Sequence, residues 1–257
     1  MKETIIKELV NVELKNPILV EGFPGLGMVG SIATQYLLTQ LKAEKIATMY
    51  SPHFPFHVIV DEKGDARLLR GEFYVWKNES GTNDFIFLVG DSQPKTIEGQ
   101  FEVANKILDF AEKQKVAMLV TIGGYRNEVE GTPKVGVIST NPSLFDGALK
   151  AGAVSSEAGT PVVGTAGLLL GLAKFRKMDA VCFLGETRGY LPDPKTAKKI
   201  IEVLQSFLGF NVGLKGLDEE IERSKEILGR MQDIEKRRLQ YVEKMRRVEE
   251  ERITYIS

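Results

Sequence analysis

Cysteine and histidine are almost missing from this sequence, and their scarcity closes off several kinds of chemistry. The single cysteine, Cys182, makes an internal disulfide framework impossible and fits a reducing compartment. It stands in the apolar run Ala180-Val181-Cys182-Phe183-Leu184 with no histidine near it in sequence, which reads as a buried, inert thiol. The two histidines, His53 and His57, flank Phe54-Pro55-Phe56 without a carboxylate cluster, so a turn or an oligomer contact is expected there rather than a metal site. Charge of one sign is lacking too. A formal net charge of −1 gives no global field toward nucleic acid or an anionic membrane, and neither partner is expected. Long apolar runs are absent; the stretch around Ala166 to Ala173 is short and interrupted by glycine. The opening residues, Met1-Lys2-Glu3-Thr4-Ile5-Ile6-Lys7-Glu8, carry acids early and lack the apolar core of a signal peptide, so a cytoplasmic location is expected. No G-x-x-x-x-G-K-[ST] loop occurs, which excludes a P-loop nucleotide site.

What is present is an ordinary globular composition, 43% hydrophobic and 27% charged over 257 residues, enough for one α/β domain and an extension. Pro17 to Gly22 reads as a buried strand entering a glycine-rich turn, followed by helical spacing at Ile32, Tyr36, Leu37 and Leu41. Further strands are expected at Ile46 to Tyr50, Phe85 to Val89, Val116 to Ile122 and Ala180 to Leu184. Helices are expected from about Ile97 to Lys115, after Gly164-Thr165-Ala166-Gly167, and from Ala197 to Leu208. Two extended runs split by Lys63-Gly64-Asp65 predict a hairpin. Strands alternating with helices predict an α/β fold with a mainly parallel sheet flanked by helices.

The composition changes from about Gly216, which divides the chain into an α/β domain over 1–212 and a charged helical arm with a tail over 213–257. The arm's apolar residues, Ile221, Leu228, Met231, Ile234, Tyr241, Met245 and Val248, form a narrow stripe near heptad spacing. A stripe that thin suits packing against one neighbouring helix. A continuous helix there would extend on the order of 50 Å at about 1.5 Å per residue.

Gly25-Leu26-Gly27-Met28-Val29-Gly30 fits G-x-G-x-x-G between a predicted strand and a predicted helix, the context of a dinucleotide fingerprint. The next strand ends at Met49-Tyr50-Ser51 with no acid for a ribose, and Pro24 removes a backbone N–H from the turn. Gly22, Pro24, Gly25, Gly27 and Gly30 are therefore read as a structural turn that lets strand and helix approach closely, with no cofactor. Asp91-Ser92-Gln93-Pro94, Gly123-Gly124-Tyr125 and Gly185-Glu186-Thr187-Arg188 fall at strand ends, where ligands commonly sit. Glu186 and Asp91 would form an acid–base pair if those edges converged. No nucleophile, base and orienting group assemble, so no catalytic residues are expected.

Taken together, Glu21-Gly22-Phe23-Pro24-Gly25-Leu26-Gly27-Met28-Val29-Gly30, Gly90-Asp91-Ser92-Gln93-Pro94 and Gly185-Glu186-Thr187-Arg188-Gly189-Tyr190-Leu191-Pro192-Asp193-Pro194 resemble the proteasome-assembly-chaperone family in its archaeal form. The resemblance covers the α/β domain to about residue 212. It implies a nucleoside-phosphorylase-like fold without established catalysis, homo-oligomers such as a tetramer or pentamer, and binding to the α subunits of the 20S proteasome. It also implies a C-terminal docking tail, here Ile253, Thr254, Tyr255, Ile256 and Ser257. In the family the tyrosine stands second from the end; Tyr255 is third, which shifts its ring and the terminal carboxylate by one residue. Two other readings stay open: an enzyme or sensor binding a nucleoside- or nucleotide-like ligand at the sheet's carboxyl edge, and an oligomeric adaptor for another protein.

Overall fold

The computed structural model describes residues 1–129 and 131–224. The chain divides into two units, Met1–Leu214 and Lys215–Ser257. In the second unit, residues 215–224 are helical and include Ile221. The remaining stripe positions from Leu228 to Val248 and the whole tail, Ile253 to Ser257, lie outside the described residues.

The first unit is built on a nine-stranded sheet. In chain order its strands are β1 (Ile5–Glu8), β2 (Ile18–Gly22), β3 (Glu44–Tyr50), β6 (Gly71–Trp76), β7 (Phe85–Gly90), β8 (Met118–Arg126), β9 (Val135–Ser139), β10 (Val154–Ser155) and β11 (Ala180–Thr187). β4 (Val58–Val60) and β5 (Ala66–Leu68) form a separate hairpin across the Lys63-Gly64-Asp65 turn. The helices are α1 (Val29–Gln40), α2 (Ile97–Lys113), α3 (Pro142–Lys150), α4 (Thr165–Phe175) and α5 (Pro194–Leu208).

Spatial order across the sheet is β1-β3-β6-β7-β2-β8-β11-β9-β10. The four central strands, β7, β2, β8 and β11, run parallel. β6, β3 and β1 extend one side by antiparallel pairing, and β9 pairs antiparallel with β11 on the other. The α/β architecture is thus as expected, with the main parallel portion at the centre and a short parallel pair, β9 with β10, at one edge. The central strands are apolar along nearly their whole length because helices cover both faces. α2 and α4 pack together over one face, where Leu19, Leu119, Cys182 and Leu184 meet Val103, Ile107, Leu169 and Ala173. α1 and α5 pack together over the other.

Local chemistry sets the helix ends. Thr96 caps α2 by accepting from Gly99 N–H at 3.0 Å, and Asn141 caps α3 ahead of Pro142. Asp193 caps α5 by accepting from Thr196 N–H at 2.9 Å, with Pro194 at the first helical position. Gly209, at φ +73°, ends α5 in a left-handed cap. The β4–β5 hairpin is turned with its apolar side outward: Phe56, Val58, Val60 and Leu68 are exposed. Arg67 ties it to the domain through a bidentate pair with Asp91, at 2.6 and 2.9 Å.

Candidate functional site

The glycine-rich turn lies where β2 hands over to α1, at the carboxyl edge of the parallel strands. Its glycines are set by crowding. A Cβ on Gly22 would stand 2.4 Å from the Gly30 carbonyl oxygen, and one on Gly30 would stand 2.5 Å from the Ile122 oxygen. Both contacts are with backbone, so strand, helix and β8 can approach this closely only without side chains. Gly27 takes φ +60°, and a Cβ there would lie 2.6 Å from Thr187 Oγ1. In a dinucleotide site the second glycine leaves room for pyrophosphate. Here Thr187 fills that side, and the Gly27 carbonyl accepts from Asp193 N–H at 2.8 Å. The turn is occupied by the protein itself.

The three segments carrying the family resemblance converge at this edge. Gln93 Nε2 donates to the Pro24 carbonyl at 2.9 Å, while Gln93 Oε1 accepts from Thr165 N–H at 3.1 Å. One side chain thereby joins the glycine turn to the start of α4. Thr187 Oγ1 donates to Asp193 Oδ2 at 2.8 Å, and the Arg126 guanidinium lies over the Tyr190 ring at 4.7 Å. These polar residues, scattered in sequence, hold loops from four strand ends in one arrangement.

Between the loops opens a cleft of about 860 Å³. Glu21, Phe23, Gly25, Gly123, Ala166 and Leu184 line it, with Arg126, Lys134 and Glu157 also on its walls. That volume lies within the range of small-molecule sites. Glu21 is the unusual member. It is 1% exposed, on the central strand, and its Oε1 accepts from Phe23 N–H at 2.9 Å. Its Oε2 has no hydrogen-bond partner among the described residues. Burial pushes the carboxyl up to about 8, against the lowering pull of the Phe23 N–H. At neutral pH Glu21 is mostly a neutral acid.

Asp91 and Glu186 do not form an acid–base pair. Asp91 is engaged by Arg67 and by Arg70 N–H; burial works against its charge, but these donors hold it below its ordinary range. Glu186 accepts from Asn127 Nδ2 at 2.6 Å and from Lys134 N–H at 3.1 Å, which fixes the β8–β9 connection. His53 meets Glu102 at 3.1 Å, a carboxylate remote in sequence, and its turn is further held by Ser51. No group of three or more potential metal ligands occurs among the described residues. Cys182 is buried, its thiol pushed up to about 12 by loss of solvent. No helix among the described residues is long and apolar enough to cross a membrane.

A sequence model described as the PAC2 family matches residues 19–232. The chain belongs to the PAC2 family. Among solved PAC2-like structures, Pyrococcus furiosus PbaB, described as an archaeal proteasome activator, is 36% identical, with a TM-score of 0.87 over 90% of this chain and 100% of that one. P. furiosus PbaA, described as an archaeal homologue of proteasome-assembly chaperone, is 27% identical, with a TM-score of 0.74 over 93% and 97% of the two chains. An uncharacterised Methanocaldococcus jannaschii protein, MJ1210, is 28% identical over 98% of this chain and 92% of its own. The resemblance drawn from the glycine turn and the Tyr190–Pro194 segment is thus upheld by the family match over residues 19–232. Family membership, and not a missing catalytic set, places the protein among non-enzymatic factors.

Proposed function

We propose that this PAC2-family protein is a non-enzymatic proteasome-binding factor, an assembly chaperone or activator that docks on the α-ring of the 20S particle through its C-terminal tail. The observation that carries the reading is its similarity, along the full length of the P. furiosus chain, to a protein described as an archaeal proteasome activator. In this reading Ile253 and Tyr255 are the two apolar anchors after a long charged segment, with Tyr255 one residue further from the end than in the family pattern. In a cytoplasmic homo-oligomer, arms paired along the stripe from Ile221 to Val248 would present several tails at once. Linked tails raise overall affinity without any one binding tightly.

Co-sedimentation with purified 20S proteasome tests this directly, using the full chain beside a variant lacking Ile253–Ser257. The intact protein is expected in the proteasome fraction and the truncated one in the free fraction, with the same oligomer mass for both. Equal co-sedimentation of the two would remove the tail from the mechanism. No co-sedimentation by the intact chain would overturn the proteasome reading itself.

A further inference from the structure

The cleft holds a feature that docking on another protein does not use. A carboxyl group on the central strand lines its floor, almost wholly buried, with one oxygen unpartnered. Buried polar groups are ordinarily hydrogen-bonded, and an orphan of this kind calls for a partner. Glu21 lies beside Thr121 of β8 in the sheet register, and Thr121 lies beside Cys182 of β11. Neither neighbour brings a compensating charge.

The surroundings select the charge of a ligand. Gly164 and Ala166, at the start of α4, line the same cleft; the N-cap residue Gly164 has no side chain to cap that helix end, and Gln93 Oε1 takes up the Thr165 N–H there. The positive dipole end of α4 opposes a cation beside Glu21. Arg126 and Lys134 on the walls would attract an anion to the cleft, but Glu157 stands there too, and beside Glu21 an anion would have to leave water for the apolar surface of Phe23, Gly123, Ala166 and Leu184. A neutral group avoids both costs. A neutral carboxyl offers an O–H donor beside a carbonyl acceptor, and Oε1 keeps a lone pair after accepting from Phe23 N–H. An amide or lactam edge presents the complementary pair.

We propose that the carboxyl-edge cleft binds an uncharged small molecule with an amide or lactam edge, recognised by Glu21. Such a ligand places its carbonyl against the Oε2 hydroxyl and its N–H against Oε1, with its apolar body along Leu184 and Ala166. The site goes beyond proteasome binding and stands or falls separately from it.

Three probes with the same ring and different head groups decide the class: benzamide (neutral), benzoate (anionic) and benzamidine (cationic). Each is titrated at pH 7 into the full-length protein by ligand-observed NMR and calorimetry, with Glu21→Gln and Glu21→Leu beside the native chain. Benzamide is expected to bind in about the millimolar range for so small a fragment, and more tightly than the two ions. Gln keeps an amide donor and acceptor, so Glu21→Gln is expected to retain binding within about threefold. Leu removes both and is expected to weaken it about tenfold or more. Preference for benzamidine, lost in Glu21→Gln, would show an ionised carboxylate and overturn the proposal. Preference for benzoate, equal binding of benzamide by Glu21→Leu, or no binding of any probe at about 20 mM would overturn it as well.

Discussion

Replacing Glu21 by Gln should change how the stability of the protein depends on pH. In the folded chain the carboxyl titrates near 8 and in the unfolded chain near its ordinary value of 4.5. Between those values the unfolded state gives up a proton that the folded state keeps. Stability from this group is therefore fully present below about pH 4.5 and lost progressively as the pH climbs to about 8. Above that, both states are ionised and the dependence ends. The slope is about 1.4 kcal/mol per pH unit, and the whole excursion is on the order of 4–5 kcal/mol. Gln does not titrate. The stability difference between Glu21→Gln and the native protein should thus move by about 2–3 kcal/mol in favour of the variant from pH 5.5 to 7.5. A constant offset, from burying an amide in place of an acid, leaves that slope untouched. Asp91, Glu72 and Glu102, whose carboxyls are held below their ordinary range, titrate alike in both proteins and cancel. Equilibrium denaturation in guanidinium chloride, buffered at half-unit steps, reads the difference directly. A difference that stays flat across this window would show that Glu21 is ionised in the folded protein and would refute the reasoning.

The turn and the thiol give two further tests. Gly30→Ala should cost about 3 kcal/mol or more, because its Cβ would meet the Ile122 carbonyl oxygen at 2.5 Å and neither backbone can withdraw; thermal unfolding would register it, and an unchanged midpoint would refute the crowding argument. Cys182, with its thiol pushed up to about 12 and no exposure, should resist a thiol reagent in the native protein at pH 8 and react at once after denaturation.

The elements legible in the sequence were those whose burial leaves a continuous signal. β2, β7, β8 and β11 each read as an apolar run, and α2 shows its buried face at Val103, Ile107, Leu108 and Ala111. The stretch from Asn127 to Ser156 carries no such signal. β9 is only Val-Gly-Val-Ile-Ser between Gly131-Thr132-Pro133 and Asn141-Pro142, so local turn chemistry hides a strand that only pairing with β11 reveals. Two-residue β10 has no period to detect. Parallel and antiparallel pairing were likewise not separable, because β3 and β6 carry the same residue types whichever way their neighbours run. At the site, the close-packing role of Gly22 and Gly30 followed from the strand–turn–helix context. Glu21 shows in the sequence as an acid near the end of an apolar strand, but only the strand order makes that strand central. The partners of Gln93 and Glu186 lie tens of residues away, beyond any local pattern.

The strand order also governs how this domain comes to be folded. β2 is made early, yet both its neighbours, β7 and β8, come much later, and β11, which completes the parallel centre, follows beyond α4. Loop closure across such separations must precede any reward from pairing, so the centre of the sheet forms slowly. An emerging chain carries Ile18–Gly22, a largely apolar strand to be paired on both sides, without its first partner until residue 90 and without its second until residue 126 of 257. That interval, rather than any weakness of the finished sheet, is where this protein is most exposed to misassociation.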